Sequence, residues 1–176
     1  MRVLTTTGIT LEPQFAAHAP AMFELLSDPA IYEYENEPPV SVAALRKRFK
    51  RLESRVSPDG SQQWLNWIVR LHSGEVAGYV QATVHRDRRA AIAYVLGSRY
   101  WGKGIAARSV RAMIEELRAK HGAGECIAIL KSANFRSQRL LRRLGFRSAT
   151  ADELGVTLEL GESAMLLAAT TSPASR

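Results

Sequence analysis

Apolar and polar positions along this chain follow two periods, and the change from one to the other marks its elements. Met22, Leu25 and Leu26 recur at i, i+3 and i+4, so Glu12 to Ser27 reads as a strand end followed by a helix that stops at Asp28-Pro29. The polar, aromatic stretch Tyr32-Glu33-Tyr34-Glu35-Asn36-Glu37-Pro38-Pro39 reads as a loop. Ser41 suits the cap of a second helix, with Val42, Leu45, Phe49 and Leu52 turned inward. After the turn residues Ser57-Pro58-Asp59-Gly60 the pattern becomes extended. Trp64 to Leu71, Val76 to His85 and Ala90 to Leu96 read as three strands of an antiparallel meander, joined at His72-Ser73-Gly74-Glu75 and Arg86-Asp87-Arg88-Arg89.

The helical period then returns. Within Ile105 to Lys120, Val110, Met113, Ile114 and Leu117 form one inward face, while Arg111/Glu115 and Glu116/Lys120 are i,i+4 pairs expected on the exposed side. Gly122 and Gly124 end this helix. Cys126-Ile127-Ala128-Ile129-Leu130 is apolar throughout, the pattern of a strand covered on both faces. A helix from about Phe135 to Leu144 carries Ser137, Leu140, Leu141 and Leu144 on one face. Gly145 suits its C′ position, with Phe146 packing back. Segments near Arg147 and from Ser163 to Ala168 read as final strands, and residues 170–176 as a frayed tail. The pattern predicts one α/β (α+β) domain over residues 1–169.

Composition narrows the setting. No run of about 18 apolar residues exists, and Met1 to Thr7 lacks the apolar core of a signal peptide, so neither membrane nor secretion is expected. Cys126 is the sole cysteine; no intrachain disulfide can form, which fits a reducing, cytoplasmic setting. The net charge of +7 raises the question of nucleic acid. The basic residues are spread over the chain and no nucleic-acid motif accompanies them, so nucleic acid is not the expected partner. Arg136, Arg139, Arg142, Arg143 and Arg147 do cluster, either as a solvated helix face or as positive charge for a phosphate ligand.

The apolar run Ile92-Ala93-Tyr94-Val95-Leu96 leads into Trp101-Gly102-Lys103-Gly104-Ile105-Ala106, which opens the long helix. A strand, a glycine turn and a helix N-terminus together cradle phosphate, because the first N–H groups of a helix have no helical partners and its dipole favours negative charge. Three readings share this turn. Gly102 to Ala107 fits the dinucleotide pattern G-x-G-x-x-A, yet a meander precedes it and the next strand ends at Leu130-Lys131 rather than at a carboxylate. A tight turn with no ligand is the second.

The third reading covers more of the chain. From about Trp64 to Phe146 the sequence resembles the GCN5-related N-acetyltransferase superfamily, in particular its RimJ/RimL-type branch of ribosomal-protein N-terminal acetyltransferases. The resembling residues are the meander with Tyr94-Val95-Leu96, the turn Trp101 to Ala106, Asn134-Phe135-Arg136-Ser137 and Leu144-Gly145-Phe146. The family's R/Q-x-x-G-x-G/A motif falls on Trp101-x-x-Gly104-x-Ala106, with Trp101 in place of the usual Arg or Gln and Arg99 two positions earlier. The resemblance implies a mixed, mostly antiparallel, splayed sheet flanked by helices. It implies acetyl-CoA as donor, held by Leu96, Trp101, Gly102, Lys103, Gly104, Ile105, Ala106, Ala107 and Asn134. Lys103, Arg108, Arg139 or Arg142 are candidates to reach the phosphates.

It also implies the reaction: acetyl passes directly from the thioester to a primary amine, of a protein N-terminus or a small molecule, with no covalent enzyme intermediate. The amine must be neutral to attack, the oxyanion needs a fixed donor such as the Leu96 N–H, and the departing thiolate needs an acid. Many members use a Tyr in the last helix, where this chain has Leu141; Ser137, in Asn134-x-x-Ser137, is the expected substitute. No carboxylate lies on the last meander strand, so Glu35 of the acidic loop is the candidate base, with a water chain as the alternative. Trp64, Asn66, Tyr32 and Tyr34 are candidates to shape the acceptor pocket, and Trp67 to pack the core. No metal is expected, and the molecule is expected to be a monomer or homodimer. The competing expectation is a non-catalytic acyl-CoA-binding module, suggested by the missing Tyr and strand carboxylate.

Overall fold

The computed structural model describes residues 1–34 and 37–168. Eight strands form one sheet in the order β1-β2-β3-β4-β5-β6-β8-β7. They are β1 (Leu4–Thr6), β2 (Ile9–Pro13), β3 (Gln62–Leu71), β4 (Val76–His85), β5 (Arg89–Leu96), β6 (Glu125–Lys131), β7 (Arg147–Ala149) and β8 (Glu162–Leu167). Neighbouring strands are antiparallel except β5 and β6. Helices α1 (Ala19–Leu26), α2 (Val42–Leu52), α3 (Ile105–Lys120), α4 (Phe135–Arg143) and α5 (Ala151–Leu154) complete the described chain. The expected mixed, mostly antiparallel sheet with flanking helices is the one observed.

The two faces of the meander are filled separately. Leu65, Trp67 and Val69 of β3 pack with Val110, Met113 and Leu117 of α3, all in the main core. Ile68 and Val95 point the other way, into a second cluster with Met22, Leu45 and Phe49 of α1 and α2. This alternation is the period of two expected of strands buried on both faces. Each fully buried Leu or Met in these clusters contributes about 1.5–3 kcal/mol by transfer from water.

Caps set the helix ends. Ser41 Oγ accepts the Ala44 N–H at 3.1 Å, as the sequence indicates. At the C-terminus of α4, Phe146 N–H reaches back to the Leu141 carbonyl at 3.0 Å, with Gly145 at φ +92° and Phe146 buried. This is the glycine-dependent reverse turn the sequence predicts there.

Three expectations need correction. Glu116 is not on an exposed face paired with Lys120: it is buried and held by the Arg2 guanidinium, with Nη2 to Oε2 at 2.7 Å. The N-terminal segment supplies that arginine, and no periodicity within the helix could reveal it. β6 is not covered along its whole length either. Cys126, Ile127 and Ala128 are buried, but Ile129 is 44% exposed, because the strand leaves its neighbour at that point. The expected loop at Tyr32 begins later than supposed, since Pro29–Glu33 forms a 3-10 turn capped by Asp28. The tail, residues 170–176, lies outside the described residues.

Candidate active site

The site arises where two parallel strands part. β5 pairs with β6 only at Arg89↔Glu125, Ala90↔Cys126 and Ala91↔Ile127, although β5 continues to Leu96 and β6 to Lys131. β6 is drawn away by six pairings to β8. The gap therefore exposes the inner edge of β5. Gly97 N–H donates to the Ala77 carbonyl of β4 at 3.1 Å, so strand alternation turns the Leu96 amide edge towards the gap. The Leu96 carbonyl on that edge accepts the Trp101 indole N–H at 2.9 Å.

A cleft of about 540 Å³ fills the gap on the α3 side. It is lined by Leu96, Trp101, Gly102, Gly104, Ile105, Ala106, Ala107, Asn134 and Ser137, so the sequence-nominated donor residues converge on one volume. Lys103 lies between the two lining glycines, with its ammonium 6.0 Å from the Tyr100 ring. Gly102 and Gly104 sit at φ +73° and +72°, left-handed values that turn successive N–H groups to one side. α2 and α4 are capped by side chains of Ser41 and Asn134, whereas the Gly104 end of α3 has no side-chain cap and no acidic residue in its first turn. The N–H groups of Ile105, Ala106 and Ala107 are thus left to the cleft.

The residues fit a phosphate-bearing ligand. Arg136, Arg139 and Arg143 line the cleft. The buried Arg108 Nε and Tyr100 hydroxyl have no protein partner among the described residues. The left-handed φ of +72° at Gly104 favours glycine, and a Cβ there would come within 3.1 Å of Arg108 Nη1. Arg142, another candidate for the phosphates, instead donates to Gln138 at 3.2 Å and does not line the cleft. Arg99 stacks on Tyr100 and lies 3.8 Å from Glu75. Arg136 stacks over Trp101 at 4.0 Å, which joins α4 to the glycine turn across the cleft mouth.

A second cleft of about 290 Å³ opens between β5 and β6. Tyr34, Tyr94, Asn134 and Ser137 line both clefts. Asn134 Oδ1 accepts the Ser137 N–H at 3.0 Å as the cap of α4, so Nδ2 is the donor this side chain brings to the junction. The Tyr94 hydroxyl lies 3.5 Å from the Ser137 carbonyl. Sequence reasoning missed Tyr94, Glu159 and Glu162 as site residues. Glu159 and Glu162 line the second cleft beside Lys131, whose Nζ is 3.2 Å from Glu162. The Glu159 N–H and that ammonium hold Glu162 below the usual carboxylate range. The β6–β8 register places Lys131 opposite Glu162, and no local signal in the sequence announces that pairing.

Other nominations fall elsewhere. Glu35 lies outside the described residues. Tyr34 reaches the junction, but Tyr32 donates to the Leu26 carbonyl and packs in the second core. Trp64 donates to Gln62, and Asn66 is buried on β3; neither lines either of these two clefts. Trp67 is fully buried, as expected. Leu141, where the resemblance puts the family's Tyr, is buried on the inner face of α4 and lines the second cleft. Burial pushes the Cys126 thiol up to about 11, which removes it as a nucleophile. Among the described residues no group of three or more metal-ligating side chains forms, and no helix is long and apolar enough to cross a membrane.

The splayed sheet with a glycine cradle at its mouth is the fold of acyl-CoA N-acetyltransferases. A family model for the acetyltransferase (GNAT) domain matches residues 9–147, and the chain belongs to that family. It is similar to an uncharacterized N-acetyltransferase p20 of Bacillus licheniformis, at 26% identity over 155 residues, 81% of this chain and 86% of the relative. The fold is shared with RimL, a ribosomal L7/L12 alpha-N-protein acetyltransferase solved in complex with coenzyme A. That match has a TM-score of 0.81 and 16% identity, covering 97% of this chain and 99% of RimL. A ribosomal-protein-S5-alanine acetyltransferase from Vibrio fischeri matches with a TM-score of 0.78 at 16% identity, covering 97% and 99% of the two chains.

Proposed function

We propose that this protein is an acetyl-CoA-dependent N-acetyltransferase that moves acetyl directly to a primary amine, of a protein N-terminus or a small molecule. The observation that carries this reading is the parting of β5 and β6 beside the uncapped N-terminus of α3. A peptide-like pantetheine arm can pair with the open Leu96 edge while the pyrophosphate takes the N–H groups of the glycine turn. Leu96, Trp101, Gly102, Lys103, Gly104, Ile105, Ala106, Ala107 and Asn134 would hold the donor. RimL, with the same fold, is solved with coenzyme A, which supports this assignment. The lone buried Cys126 fits action in the cytoplasm.

The chemistry then needs three groups. The Leu96 N–H is the donor proposed for the oxyanion. Ser137 is the hydroxyl proposed to donate to the departing sulfur, and Glu35 the base proposed to receive the amine proton. Glu159 and Glu162 add negative charge where a cationic amine would approach.

The buried Leu141 favours one rival, an acyl-CoA-binding module without turnover. A panel of peptides with free N-termini and of small amines, followed by thiol release from acetyl-CoA, separates the two. Thiol release with at least one amine is expected. Acetyl-CoA binding with no release across the panel would overturn the enzyme reading in favour of the module.

A further inference from the structure

We infer that the Tyr94 phenol is the proton source for the departing thiolate, an inference that rests on the acetyltransferase reading. The bond that breaks (C–S) and the bond that forms (C–N) share one carbon. The sulfur must therefore sit where the donor and acceptor clefts meet. Among the described residues, Tyr34, Tyr94, Asn134 and Ser137 line both. An amide such as Asn134 is not an acid at neutral pH. The Ser137 hydroxyl can hydrogen-bond the sulfur, but an aliphatic alcohol surrenders its proton only if a stronger acid refills it.

Two phenols remain. Tyr34 is hydrogen-bonded to Glu33, which pushes its ionisation up and makes it a weaker acid than an ordinary phenol. Tyr94 is placed better. It lies on β5 two residues before Leu96, packs half-buried against the main core, and carries its hydroxyl to the first turn of α4, 3.5 Å from the Ser137 carbonyl. An ordinary phenol near 10 and an ordinary thiol near 8.5 differ by only about 1.5 pH units, a close match for proton transfer to a thiolate.

The step balances. The amine lone pair forms the C–N bond. Collapse of the tetrahedral intermediate breaks C–S and sends that electron pair to sulfur, which takes the Tyr94 proton. The tyrosinate regains a proton through water from the one shed by the acylated nitrogen. No further reactant enters.

Tyr94→Phe keeps the ring and its packing, so acetyl-CoA Kd should stay within about twofold while kcat falls about 100-fold, the scale of a lost general acid. The second donor is S-acetyl-4-nitrothiophenol, whose thiolate leaves without protonation; with it the variant should lose less than about threefold. An equal loss with both donors, or no loss with acetyl-CoA, overturns the role of Tyr94 and leaves the enzyme reading intact. If the unmodified protein releases no thiol with any amine, the enzyme reading falls and takes this inference with it.

Discussion

The proposed donor and acceptor sides of the site are built from different materials. The donor side is made mainly of backbone. Its main elements are the Leu96 edge, two left-handed glycines and the first N–H groups of α3, contributed by one stretch of chain from β5 into the helix, with Asn134 and the α4 arginines facing them across the cleft. The acceptor side is made of side chains from distant segments: Tyr34 before α2, Tyr94 on β5, Lys131 on β6 and Glu159 and Glu162 at the start of β8. The difference follows from the ligands. A pyrophosphate and a peptide-like arm present the same hydrogen-bonding groups whatever the acceptor, so fixed backbone dipoles serve them. An amine acceptor varies in shape and charge, and only side chains can be changed to suit it.

Breaking the donor side should have the largest effect. Gly104→Glu puts a carboxylate into the phosphate cradle and a Cβ within 3.1 Å of Arg108 Nη1 at φ +72°. Acetyl-CoA Kd measured by calorimetry should rise by about 100-fold or more, the consequence of placing like charge at the helix N-terminus. Unchanged affinity would remove this turn from the site.

Gly78→Ala tests the same side through packing. A Cβ there would lie 2.0 Å from the Val95 carbonyl and 2.8 Å from Leu96 Cα, both backbone atoms of β5. β4 and β5 must part to admit it, and a loss of about 3 kcal/mol in chemical denaturation is expected. Acetyl-CoA affinity should fall with it, because Leu96 moves. A variant as stable as the parent would mean that this strand crossing is looser than the contact implies.

Ser137→Ala probes the junction. Loss of one hydroxyl donor to a developing thiolate should lower kcat about tenfold with Kd within about twofold. An effect on Kd alone would make Ser137 a binding residue and shift it to the donor side of the comparison.

The smallest effect should come from a charge remote from both sides. Arg2 hydrogen bonds hold Glu116 below its ordinary range. A carboxyl depressed in the folded state stabilises the protein above its unfolded pKa, and that contribution is lost as pH falls through the lower folded value. Glu116→Gln should therefore flatten the acid limb of a melting-temperature profile below about pH 4.5. Turnover per folded molecule should not change; if it does, this pair communicates with the site.

Much of the donor side was legible in the chain itself. The bounds of α3, the glycine turn and the Gly145-Phe146 reversal all depend on residues within a few positions of one another. Conformational demands of that kind are written locally: a left-handed φ asks for glycine, and a helix start asks for a cap. Glu116 shows the opposite case. Its place in the i,i+4 pattern suggested solvent, yet Arg2, more than a hundred residues away, makes its burial tolerable. Trp64 and Asn66 share a strand face, but alternation cannot say whether that face looks into a cleft or a core.

The sequence by itself determined the family and the order of elements from the meander through α4, and it marked Gly102 to Ala107 as the glycine turn at the start of α3, the proposed phosphate cradle. Only the tertiary structure decided that β8 enters between β6 and β7, that β6 is thereby pulled from β5 after Ala91, and that Tyr94 meets Ser137 at the gap. The physical reason is range. Capping and turn chemistry act over a few residues and leave a mark in local order, whereas strand pairing unites segments far apart in sequence, and its outcome rests on which edges win the competition for hydrogen bonds.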